Sequence, residues 1–218
     1  KENFQISTVS TVPTSTGLGT SSAMVVGLIN CIKKFKNLKL SQNEIFKIAY
    51  KIERKTCKFE GGWQDQIASV FGGLVDVAIS KNEIIKINKK KNLNCINKVV
   101  NNHFLLVYSN KKRPSAKIIK SQKKNIKKTY EFYNKIKKFN EPMSKAIQSK
   151  KINLIGKIFK DHWKLKRNLT NDMADAVINK LYEKIEKLES FLGGKLIGAG
   201  GGGFFLIVVK NKKKTIKD

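Results

Sequence analysis

Apolar residues alternate briefly at the start of the chain and then recur at helical spacing through most of it. Phe4 and Ile6 alternate with Gln5 and Ser7, which predicts a strand. Residues 13–22, rich in glycine and hydroxyl side chains, predict a loop. Ala23 to Phe35 is apolar nearly all round, so a buried helix is expected. Lys36 to Lys39 breaks the run. Ser41-Gln42-Asn43-Glu44 reads as a capping box, and Ile45, Ile48, Ala49 and Ile52 follow on one helical face to about Lys55. After a turn at Gly61-Gly62, a short helix is expected from Gln64 to Gly72. Leu74–Ile79 and Glu83–Ile87 then read as a hairpin, and Lys89–Lys98 as a polar connector.

His103–Tyr108 predicts a strand, and Ala116–Phe139 a long helix with Ile119, Ile126, Tyr130, Tyr133 and Ile136 inward. Helices are expected from Pro142, over Lys151–Trp163, and from a Thr170 cap to about Leu192. Lys195–Ile197 and Phe204–Val209 read as strands around the glycine loop Gly198–Gly203, before a frayed charged tail. Helices and strands mix without regular βαβ alternation, which argues an α+β class. The connector is the best domain boundary, giving units 1–98 and 99–218.

Composition narrows the class. A length of 218 residues with 40% hydrophobic content supports a real core, and no run is long enough to span a membrane. Cys31, Cys57 and Cys95 have no paired spacing and read as reduced thiols, which suits a cytoplasmic protein. The net charge of +29 invites nucleic acid, anionic lipid or an anionic small molecule. The excess is almost all Lys, with Arg only at positions 54, 113 and 167, and no aromatic-basic interleaving accompanies it. Solvated lysine faces are therefore favoured over a nucleic-acid interface.

The chemistry centres on Pro13-Thr14-Ser15-Thr16-Gly17-Leu18-Gly19-Thr20-Ser21-Ser22-Ala23. Glycines let backbone approach a ligand, and the helix that follows presents unpaired N–H groups and positive dipole, a site for phosphate. Thr20, Ser21 and Ser22 could cap that helix or reach a phosphate-bound metal. No Lys-Ser/Thr follows the glycines, so this is not a Walker loop, and plain helix capping remains the alternative.

This stretch resembles the second motif of the GHMP kinases (galactokinase, homoserine kinase, mevalonate kinase, phosphomevalonate kinase). Gly61-Gly62-Trp63-Gln64-Asp65-Gln66 resembles the segment carrying the family's catalytic Asp, and Lys195 to Phe204 resembles the third motif, in the family's order. The last two are most similar to the branch that phosphorylates D-glycero-D-manno-heptose 7-phosphate on its anomeric oxygen. An earlier Pro-rich family motif is absent from this sequence, so a fragment or partial gene is expected.

The resemblance implies an N-terminal domain like ribosomal protein S5 domain two and a ferredoxin-like C-terminal domain, with ATP and Mg²⁺ as cofactors. It implies ATP binding by Pro13, Gly17, Leu18, Gly19, Thr20, Ser21 and Ser22, and catalysis by Asp65. It implies metal contact by Ser21 and Glu53, and substrate contact by Gln64, Arg113, His162, Lys166, Gly200 and Gly201. The bland alternatives stay open: Asp65 as first-turn acid of a helix, Glu53 as surface residue, and the third motif as a tight strand crossing. A small sugar phosphate and ATP are the expected partners, with no membrane partner and a homodimer allowed. Another sugar kinase, a basic nucleic-acid module and an inactive nucleotide-binding remnant are the competing functions.

Overall fold

The computed structural model describes residues 3–80, 82, 84–90, 93–112 and 115–217. Helices α1 (Thr20–Phe35), α2 (Gln42–Tyr50) and α3 (Gln64–Phe71) form the first cluster, with Val26 and Ile29 against Ile45 and Ala49. The capping box forms as expected: Ser41 Oγ accepts from Glu44 N while Ser41 N donates to the Glu44 carboxylate. α1 is buried on one stripe only. Met24 and Phe35 are 52% and 62% exposed, because α2 and α3 cover a single side.

The expected strand at Phe4–Ser7 is not formed. A strand exists by pairing, and no described strand lies beside it; Phe4 instead rests against Phe35, with ring centroids 6.4 Å apart. β1 (Val75–Ile79) and β2 (Ile85–Lys89) make the antiparallel hairpin, with Val77 opposite Ile87. The polar connector is largely helix, α4 (Leu93–His103), because Cys95, Ile96 and Val99 share one buried face among the Lys and Asn. The 98/99 division falls inside it.

β3 (Phe104–Tyr108), β4 (Phe191–Leu196) and β5 (Phe204–Val209) form an antiparallel sheet in the order β3-β5-β4. α5 (Ser115–Lys137), α6 (Asn140–Gln148), α7 (Ile152–Lys166) and α8 (Ala176–Glu186) surround it, and α9 (Lys212–Thr215) gives the charged tail one helical turn. β5 is central and apolar throughout. Phe205, Ile207 and Val209 join Trp163, Met173, Ile178 and Tyr182 on one side. Val208 joins Ile96, Val99, Ile147 and Ile155 on the other. Each such buried side chain contributes about 1.5–3 kcal/mol, so this strand anchors the loop that precedes it. α7 lies directly on β4: a Cβ on Gly193 would sit 1.8 Å from the Gly156 carbonyl oxygen.

Two helices differ from expectation. The run expected from Thr170 to Leu192 is two 3₁₀ turns, Arg167–Leu169 and Asn171–Met173, then α8, then strand. Thr170 caps only the second turn; Asp175 caps α8, accepting from Ile178 N at 3.0 Å. On α5, Tyr133 and Ile136 pack inward, but Ile126 and Tyr130 are 50% and 63% exposed. Among the described residues no helix is long and apolar enough to cross a membrane, and the three cysteines are free.

Candidate active site

The glycine loop enters α1 without a capping side chain. Gly19 occupies the N-cap position in left-handed conformation (φ 70°), and Ala23 N bonds Gly19 O at 3.0 Å to close the first turn. Plain capping therefore does not account for the hydroxyl run; the amides at this helix mouth are left for another acceptor. Thr16 is buried and donates its hydroxyl to Pro13 O at 3.0 Å, folding the loop onto itself.

The next two hydroxyls turn inward to Glu53. Ser21 Oγ donates to Glu53 Oε1 at 2.8 Å, and Ser22 Oγ to Oε2 at 2.5 Å. Gln66 Nε2 adds a third bond to Oε2. Glu53 is 1% exposed, not a surface residue. Burial pushes its carboxyl up, but the bonds from Ser22, Ser21 and Gln66, with the Arg54 charge, outweigh it and hold the group below the ordinary carboxylate range. A π-helical turn over Lys51–Thr56 continues α2, with Cys57 N bonding Ile52 O at 2.9 Å. This widened turn presents Glu53 to α1 and carries Arg54 beside it.

Asp65 lies in the first turn of α3, and its carboxyl group faces the glycine loop. A Cβ on Gly19 would lie 3.6 Å from Asp65 Cβ, Cγ and Oδ1. Burial raises the Asp65 carboxyl above its ordinary value; Arg54 opposes that shift and Glu53 adds to it. Arg54 donates from Nε to Gly62 O at 3.3 Å, and its guanidinium covers Gly61, where a Cβ would meet Cζ at 2.7 Å. Trp63 stacks on Tyr50 with ring centroids 3.3 Å apart, fixing the start of α3. Gln64 is exposed, whereas Gln66 is fully buried on Glu53 and Ser22.

The third glycine stretch backs the first. A Cβ on Gly203 (φ 95°) would lie 2.1 Å from Thr16 O, so the two loops touch backbone to backbone. Gly200 packs on Met173 and Gly201 on Ile118, with Gly201 N bonded to Met173 O at 2.8 Å. Lys166 Nζ donates to Leu196 O at 2.9 Å and Gly198 O at 2.7 Å, so it fastens this loop. His162, on the turn of α7 before it, is kept neutral: burial, then Lys195 and Lys166, push it down to about 3. Arg113 lies outside the described residues.

A family model described as GHMP kinases N terminal domain matches residues 1–73. The D-glycero-alpha-D-manno-heptose 7-phosphate kinase of Campylobacter jejuni is 30% identical over 200 residues, 91% of this chain and 59% of the relative. A crystal structure of a D-glycero-D-manno-heptose 1-phosphate kinase from Bacteriodes thetaiotaomicron superposes with TM-score 0.74 at 24% identity, covering 94% of this chain and 57% of its own. Residues 1–73 thus match the GHMP kinase N-terminal model in sequence, and the chain shares the fold of this kinase structure. Streptococcus pneumoniae phosphomevalonate kinase, in complex with phosphomevalonate and AMPPNP, shares the fold with TM-score 0.76 at 20% identity over 93% of this chain and 64% of that one. The chain thus spans less than two thirds of each of these GHMP relatives.

Three stretches carried the GHMP resemblance, and they converge: Gly19 against Asp65, and Gly203 against Thr16. Sequence reasoning missed Gln66 and Arg54. Both adjoin residues it chose, and Arg54 is one of three arginines in a lysine-rich chain, the signal that could have found it.

Proposed function

We propose that the chain forms the phosphoryl-transfer site of an ATP-dependent GHMP sugar kinase, acting on the anomeric hydroxyl of D-glycero-D-manno-heptose 7-phosphate. One observation carries this: a half-buried carboxyl with a raised pKa, Asp65, against Gly19 at an uncapped helix mouth. In this reading residues 13–22 hold the triphosphate on main-chain amides, and Asp65 orients the acceptor hydroxyl. The acceptor oxygen forms the new bond to the γ-phosphorus as the bond to the β-phosphate oxygen breaks. ADP leaves with that electron pair, and the hydroxyl proton passes to Asp65. The anomeric hydroxyl is the most acidic of an aldose, which suits a carboxylate base.

The donors beside the loop fit Mg²⁺. They are hard oxygens, the Ser21 hydroxyl and the Glu53 carboxylate, already within 2.8 Å of each other. Among the described residues no three His, Cys, Asp or Glu side chains gather as a metal cage, so phosphates and water would complete the shell. When bound, Mg²⁺ neutralises phosphate charge. Residues 1–98 then serve the nucleotide and 99–218 the acceptor. A reducing cytoplasm suits the free thiols.

The test is ADP release on adding the heptose phosphate to the chain and to Asp65→Asn. Turnover in the first and its loss in the second is expected. Equal turnover would remove Asp65 from the chemistry, and ATP binding without turnover on any sugar phosphate would leave a nucleotide-binding remnant.

A further inference from the structure

A cavity of about 360 Å³ opens between the third glycine loop and the first turn of α5. Lys111, Lys112, Lys117, Asn171, Asp172 and Gly201 line it. Ile118, 5% exposed, packs on Gly201 and closes the floor. Asp175 also reaches the cavity but is committed: it caps α8 and pairs with Lys111. Lys112 and Lys117 then share the lining with one further carboxylate residue, Asp172. Among the described residues neither lysine is in an ion pair.

This lining is mixed, and the mixture is informative. A site for a bare anion is poorly served by a carboxylate, and a site for a neutral sugar does not need three lysines. Asn171 and Asp172 supply acceptors for hydroxyl groups, while Lys112 and Lys117 supply charge-assisted donors for phosphate. The cavity also shares a loop with the reactive centre. Gly201 lies two residues from Gly203, which touches Thr16, and Thr16 lies three residues from Gly19, which faces Asp65.

We propose that this cavity binds the distal phosphate of a phosphorylated sugar, with Lys112 and Lys117 on the phosphate and Asn171 and Asp172 on the hydroxyls. That the bound sugar is the kinase acceptor rests on the reading above; that the cavity takes a sugar phosphate does not. A heptose 7-phosphate carries its phosphate at the end opposite the anomeric carbon.

The experiment compares the chain with the double variant Lys112→Ala/Lys117→Ala by calorimetry at physiological salt, without nucleotide. Heptose 7-phosphate and the unphosphorylated heptose are the probes. The double variant should bind the phosphate ester at least tenfold more weakly, each charged bond being worth about a factor of ten, with binding of the unphosphorylated sugar unchanged. Lys127→Ala/Lys128→Ala, an exposed pair farther along α5, removes the same charge and should change nothing. Equal affinity in the chain and the first double variant would overturn the site, as would an equal loss in the second. If the chain binds the ester and the first variant loses it while no ADP forms, the cavity stands and the kinase reading falls. If ADP forms and KM for the ester is unmoved in the first variant, the kinase reading stands and the cavity falls.

Discussion

Adding one carbon at position 203 tests whether the two glycine loops are locked together. In Gly203→Ala the new Cβ would lie 2.1 Å from Thr16 O and 2.8 Å from its carbonyl carbon. Both are backbone atoms, so no side chain can swing away. Gly203 is itself held, with its N–H on Lys111 O at 2.8 Å and its carbonyl accepting from Ser109 N at 2.9 Å. One loop must therefore retreat by about 1 Å before ordinary contact is restored. Overpacking of this kind costs about 1–3 kcal/mol, and an alanine at φ 95° about 1–3 more. The two relax partly together, so a loss of about 2–5 kcal/mol is expected, a large share of a typical folding free energy of about 5–15 kcal/mol. Urea unfolding followed by tryptophan fluorescence reads it, because Trp163 is fully buried in the core and Trp63 is stacked on Tyr50. At about 2–3 kcal/mol per molar urea the midpoint should fall by about 1 M or more. Binding of a nonhydrolysable ATP analogue should weaken as well, since Thr16 belongs to the loop that leads into α1. Gly62→Ala is the matched control: a Cβ there meets nothing within 4 Å, and its stability should stay within about 0.5 kcal/mol of the parent. A Gly203→Ala protein as stable as that control would refute the backbone contact.

Three further outcomes follow from the titratable groups. Asp65 has a folded pKa above its unfolded value, so stability is lost as pH rises from 3.8 to that folded pKa, and the full cost remains above it. Asp65→Asn should raise Tm at pH 7 while abolishing phosphoryl transfer, and the gain should vanish when pH falls below 3.8, the carboxyl's ordinary value. Arg54 opposes the upward shift of Asp65, so Arg54→Ala should move the acid limb of the kcat/KM profile to higher pH, with Arg54→Lys moving it less; an unmoved limb would separate Arg54 from Asp65. His162 has a folded pKa of about 3 against an ordinary 6.5, so the unfolded chain takes up its proton first, and stability should decline as pH falls from about 6.5 towards 3. His162→Gln should flatten that decline in acid urea titrations.

Local signals were readable without coordinates. The capping box at Ser41–Glu44, the strand Phe104–Tyr108 and the glycine runs depend on near neighbours in sequence and form where expected; the hairpin forms too, with its second strand at Ile85–Lys89, two residues later than Glu83–Ile87. The faces of helices were less readable. Ile126 and Tyr130 match the helical spacing of Tyr133 yet stand in solvent, because the packed face of α5 centres on Thr129, Phe132 and Ile136 and leaves those two at its edge. Phe191 and Leu192 suit a helix as well as a strand, and only pairing with β5 makes them strand. At the site, Asp65 and Glu53 could be chosen from motif resemblance, but the choice between Gln64 and Gln66 could not. Two residues, a little over half a helical turn, separate the one facing solvent from the one donating to Glu53.

By itself the amino-acid sequence determined the chemistry on offer: a glycine loop entering a helix, hydroxyls behind it, and one carboxylate after a double glycine. Spacing and backbone permissiveness are local properties, so composition and order carry them. Tertiary structure alone decided that Asp65 faces Gly19, that Ser21, Ser22 and Gln66 converge on a buried Glu53, and that Gly203 rests on Thr16. Those contacts join residues 13 to 187 positions apart. They exist because the cluster of α1, α2 and α3 and the sheet beside it fix the ends of otherwise independent loops, and no short-range rule of the chain encodes that distance.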